Sequence, residues 1–141
     1  MTQLSLNKSL KRNFLWIVYA VFVLLAIINH EGEHPVISAG PYPFGKYLIW
    51  AIYLAFLGYS IYCSRVESFF GTLKKIYPLH WARQIGFDLY IGLVLSMGLI
   101  YFNEGSAVLV ALWLLPVLVY ANLAILLYVA LNYDSLLAHF V

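Results

Sequence analysis

Residues 83–105 read RQIGFDLYIGLVLSMGLIYFNEG. Between Gln84 and Phe102 this stretch is apolar and long enough to cross a bilayer as a helix, which takes about 20 residues. It also carries Asp88, the only acidic residue inside any long apolar run of the chain. Gln84, Asp88, Gly92 and Ser96 recur every four residues, so a helix sets them on one face. Small and polar side chains along one stripe are poor company for lipid and suit contact with protein. The expectation is a helix whose Gln84–Ser96 seam is the face on which the rest of the chain packs.

The composition carries the same reading to the whole chain. Of 141 residues, 64% are hydrophobic and 10% are charged, whereas soluble domains carry about 25% charged residues. A water-soluble fold of this size could not hide that much apolar surface, so the composition implies a polytopic membrane protein. The net charge of +2 is small and no basic cluster interleaves with aromatics, which gives no case for nucleic-acid binding. Cys63 is the only cysteine, which excludes an intrachain disulfide and a four-thiolate metal site.

Working outward from residues 83–105, the expected fold class is all-α: a four-transmembrane-helix antiparallel bundle, one domain over 1–141, with helices at about 14–29, 47–63, 84–102 and 108–131. The loop HEGEHPVISAGPYPFGK (30–46) is broken by Pro35, Pro41 and Pro43 and by three glycines. Residues 64–82 place Val66, Phe69, Phe70, Leu73, Ile76 and Tyr77 at helical intervals, the pattern of a short interfacial amphipathic segment. NEGSA (103–107) makes a tight turn, and Pro116 should kink the last helix.

Orientation follows from lysine and arginine. Lys8, Lys11, Arg12, Arg65, Lys74, Lys75 and Arg83 fall on one side of that layout, against Lys46 alone on the other. The expectation is a multi-pass inner-membrane protein with both termini cytoplasmic. Trp16 and Trp81 then mark the inner interface, and Trp50 and Trp113 the outer one.

Two groups of residues could carry chemistry. Asp88 lies in the inner half of the membrane, and an acid there is a candidate for proton-linked transport. Counting from Gly105, Asn122 stands at the same depth and is its expected hydrogen-bond partner, within an intramembrane polar cluster of Asp88, Gln84, Asn122 and Ser96. The second group is His30-Glu31-Gly32-Glu33-His34, a literal H-E-x-x-H, in which two histidines one turn apart bind zinc. His30 and His34, with Glu104 as third ligand, form a weak candidate for zinc or another divalent metal. Gly32 and the constraint that Pro35 puts on His34 oppose the helix such a motif needs. No cofactor is otherwise expected, and the stretch then reads as a solvated polar loop.

The RQIGFDLYIGL start of helix three, the NEGS turn and the LWLLPVLVYANLAILLYVAL run loosely resemble those of uncharacterised small four-helix bacterial inner-membrane proteins. Small multidrug transporters share the four-helix count but carry an essential glutamate in helix one, and this helix one has no acid. The expected role is therefore that of a non-catalytic subunit or assembly protein of a membrane complex. Its partners would be the bilayer and either other membrane subunits or further copies of itself. A small proton-linked carrier using Asp88, and an outer-face metal site or metalloenzyme at HEGEH, are the alternatives.

Overall fold

The computed structural model describes residues 2–141; the side chains of residues 2, 4–9, 11 and 12, including the basic Lys8, Lys11 and Arg12, lie outside the description. The chain is all-helical, with seven helices and no strand among the described residues: α1 (Thr2–Ile28), α2 (Pro43–Val66), α3 (Phe69–Ile76), α4 (His80–Glu104), α5 (Ala107–Tyr120), α6 (Asn122–Leu131) and α7 (Tyr133–Leu137). Two of them, α2 and α4, are long and apolar enough to cross a membrane; the apolar part of α1 (Asn13–Ile28), α5 and α6 are shorter.

Local chemistry explains most of the boundaries. Pro43 opens α2, where its missing N–H costs nothing. Ser68 caps α3 by accepting from the Gly71 N–H. Gly105, at φ 65°, ends α4 in the left-handed conformation that glycine adopts without strain. Ser106 then caps α5 by accepting from the Leu109 N–H. The amphipathic segment expected over 64–82 shrinks to the eight residues of α3, because α2 runs on to Val66.

The run expected to form one helix over 108–131 instead forms two. Pro116 sits inside α5, and the break comes at Ala121, with φ 50° and ψ −122°. From there α6 turns back along α5. The Trp113 and Tyr128 rings meet edge-to-face with centroids 4.9 Å apart, and the Tyr128 hydroxyl reaches Glu104 beside the Gly105 turn. The last helices therefore finish at the end of the molecule that holds residues 30–42, not at the far end. The reason lies in burial. α6 is apolar all round, and Leu123, Ala124, Leu127, Tyr128, Ala130 and Leu131 are buried. A helix of that kind belongs in a core, and folding back places it among α2, α4 and α5.

The core is thus centred on α6, not on α4. One cluster joins Leu93, Met97 and Ile100 of α4 to Val117, Ala124, Tyr128 and Leu136; the other joins Tyr19 and Tyr53 to Leu123, Leu127 and Leu131. The expected packing seam of α4 is displaced. Gln84, Asp88 and Gly92 are exposed, and Ser96, half-buried, donates to its own helix at Gly92 O. At about 1.5 Å per residue, the 14 residues of α5 are about 21 Å long, against about 37 Å for the 25 of α4. The hairpin therefore covers only the upper part of α4, and every buried residue of that helix lies at or above Leu93.

Candidate functional site

The polar groups gather at the end of the molecule where the α1–α2 loop, the start of α2, the end of α4 and α7 meet. Lys46 is 0% exposed, one turn into α2. A buried ammonium needs a counter-charge and acceptors. It finds Glu33 at 3.0 Å and the His34 carbonyl at 2.6 Å. Glu33 is the hub. Its Oε2 also accepts from the Asp134 N–H at 2.9 Å, and its Oε1 from the Ser135 N–H at 3.3 Å. These two amides lie in the first turn of α7, where a helix has donors and no partners of its own. One carboxylate from the first loop thus caps the last helix.

Asp134 returns the contact. It accepts from the Ser38 hydroxyl and from the Ala39 N–H. Burial raises its pKa, but the Ser38 and Ala39 hydrogen bonds and the charge of Lys46 outweigh that and hold it below the usual aspartate value. Gly40 lets this happen: a Cβ there would stand 2.8 Å from Asp134 Oδ1. Gly45 does the same for Tyr133, whose ring packs where a Cβ would sit and whose hydroxyl donates to the Tyr42 carbonyl.

A second branch ties the same helix to the end of α4. The Ser135 hydroxyl donates to Asn103 Oδ1, Asn103 Nδ2 donates to the Tyr128 hydroxyl, and that hydroxyl donates to Glu104 Oε1, each at 2.7 Å. Chemically the whole arrangement is a clamp. Its carboxylates are taken up by N–H, O–H and ammonium donors, which fix the position of α7 against two loops.

The sequence-predicted site residues separate. α1 ends at Ile28, and the HEGEH stretch that follows is a loop with Gly32 at φ 103°, as Gly32 and Pro35 led us to expect. His34 Nδ1 accepts from the Val36 and Ile37 N–H groups. Nε2 of His30 is buried without a partner, and Glu104 is engaged by Tyr128. Among the described residues no three His, Cys, Asp or Glu side chains converge as metal ligands. HEGEH is also not simply a solvated loop, because Glu33 is half-buried and makes three contacts. Asp88 and Asn122 are both exposed and no hydrogen bond joins them; Asn122 opens α6 at the bend and Asp88 faces away from the bundle. Arg83 does not reach forward to Asp88 but meets His80 Nδ1 at 2.7 Å.

Sequence reasoning missed Glu33, Lys46, Asp134, Ser38, Asn103 and Tyr128 as one cluster. One signal was available: Lys46 is the lone cation on its side of the expected layout, at the edge of an apolar run, and Glu33 is the acid nearest the middle of the loop before it.

Compared with protein-family models, with curated proteins and with solved structures, the chain matches none of them.

Proposed function

We propose that the chain is a non-catalytic, multi-pass membrane protein that assembles with other membrane proteins through the lower part of α4. In this reading α1, α2 and α4 cross the bilayer and the α5–α6 hairpin enters from the side of the 30–42 loop and returns to it. The observation that carries the assembly role is Asp88. It stands exposed on an apolar helix, with Gln84 and Gly92 one turn to either side and no hydrogen-bond partner among the described residues. Hydrocarbon cannot satisfy a carboxyl group, whereas a neighbouring helix can. A carrier would need Asp88 enclosed along a path, and here it lies on the outer surface of the chain. The outer clamp fits the assembly reading, since its groups serve to hold helices together. Crosslinking in native membranes from a photoreactive residue at position 84 or 92 tests the proposal. A discrete protein adduct is expected, weakened by Asp88→Leu. Adducts to lipid alone would defeat it.

A further inference from the structure

The end of the molecule opposite the clamp holds a cleft between α1 and α2. It has a volume of about 250 Å³ and is lined by Asn13, Trp16, Ile61, Ser64 and Arg65. Its floor is already satisfied: the Trp16 indole N–H donates to Ser64 Oγ at 2.8 Å, and that hydroxyl donates to the Ile61 carbonyl at 2.9 Å. The rim is different. Arg65 and Asn13 are exposed, and neither has a side-chain hydrogen bond or ion pair among the described residues. No carboxylate lines the cleft. It therefore offers a guanidinium and amide donors to an anion and no carboxylate to a cation, while Ile61 and the Trp16 ring supply an apolar wall beside those donors.

We infer that this cleft binds the headgroup phosphate of an anionic phospholipid, with the start of an acyl chain against Ile61 and Trp16. The inference rests on the membrane topology proposed above, which puts Trp16 and Arg65 together at the inner interface. A guanidinium suits a phosphodiester because its fork presents paired donors. A zwitterionic headgroup would bring an ammonium beside the Arg65 guanidinium, with no carboxylate lining the cleft to offset the repulsion, so the site favours lipids of net negative charge. Basic pockets between membrane helices on the cytoplasmic side are suited to anionic lipid.

The test is native mass spectrometry of the detergent-solubilised full chain. It is titrated with phosphatidylglycerol, with phosphatidylcholine of the same acyl chains, and separately with inorganic phosphate. Wild-type protein should retain phosphatidylglycerol over phosphatidylcholine. Arg65→Gln should lose about fivefold of that preference, the share expected of one basic residue near an anionic surface, while Arg65→Lys keeps most of it. Because Arg65 is exposed, neither change should alter thermal unfolding, and an unchanged melt identifies a lost preference as lost binding. Equal retention by wild type and Arg65→Gln would overturn the inference. So would displacement of the lipid by millimolar inorganic phosphate, which would assign the site to the free ion. Labelling of a cysteine at position 75 reports separately on the topology. If that position faces outward, the proposed orientation fails even where the lipid preference survives.

Discussion

The two ends of this molecule are built on opposite principles. At the 30–42 end, four segments distant in sequence are joined by a buried ion pair, a capped helix and a relay of side-chain hydrogen bonds. At the other end α3 has no buried residue, and the lower turns of α4 expose Trp81, Ile85 and Phe87. The difference comes from one backbone event, the reversal at Ala121. Because α5 and α6 return, their side chains fill one end twice over and leave the other unfilled. The long-range polar contacts are thereby gathered in the clamp. Apolar side chains are exposed at both ends, Phe44, Phe102 and Val108 as much as Trp81, so what separates the ends is the polar network and not the exposure.

The sharpest way to break this contrast is topological, because the expected outcome is all-or-none. In a Cys63→Ser background, single cysteines at positions 38, 75 and 135 can be labelled from one side of sealed vesicles. Positions 38 and 135 should label together, and position 75 only after permeabilisation from the opposite side. Position 135 labelling with position 75 would restore a single helix over 108–131, with both termini on one side, and would remove the hairpin on which the comparison rests.

The next effect is energetic. Lys46→Met leaves Glu33 partly buried, with its ammonium partner gone and two backbone donors still held. Breaking a buried pair from one side costs about 3–5 kcal/mol. The lower end applies here because Glu33 retains 13% exposure. Denaturant unfolding in micelles should show this loss, and the double variant Lys46→Met with Glu33→Gln should recover part of it, since the glutamine carbonyl can still accept from α7. A loss under about 1 kcal/mol would mean that the clamp does not hold this end together.

These outcomes bear on what the sequence could reveal. Apolar runs and the prolines and glycines between them gave the helix positions, because each helix must satisfy its backbone locally. Gly32 and Pro35 likewise told against a helical HEGEH. The reversal at Ala121 was not legible. Neither Ala121 nor Asn122 is a strong breaker, and Pro116, which is one, sits inside an unbroken α5. What selects the bend is the burial available to α6 on all sides, a property of the assembled chain. The error then propagated. Counting down a single helix over 108–131 set Asn122 at the depth of Asp88, while the Gln84–Ser96 stripe read as a buried seam from its small and polar residues alone. Positive charge could not correct it, because residues 132–141 contain no lysine or arginine and the seven-to-one ratio is the same on either placement of the tail. The clamp escaped notice for a related reason: the contacts that α6 and α7 bring to it span 24 to 102 positions and form only once the tail has returned.

The smallest expected effect concerns acid. Asp134 has its pKa lowered by folding, despite burial that acts the other way, because Ser38, Ala39 and Lys46 favour the ionised form. A depressed acid contributes stability that is fully present above its unfolded value, ordinarily about 3.8, and that is lost as pH falls through the lower folded value. The contact between α7 and the 38–40 turn should therefore hold unchanged from about pH 7 to about pH 5 and loosen only below about pH 4. Hydrogen exchange at the Ala39 and Gly40 amides measures this directly, since the Ala39 N–H donates to Asp134 and the Gly40 N–H to Ser38 Oγ. In Asp134→Asn the amide carbonyl can still accept one of these bonds, so protection should fall modestly at neutral pH and lose its acid-dependent limb. Glu33 and Lys46 remain in that variant to hold the first turn of α7. If protection in the wild-type protein instead declined between about pH 7 and about pH 5, a group other than Asp134 would govern this end. The clamp would then be a titrating contact in the neutral range and not the fixed end of the molecule.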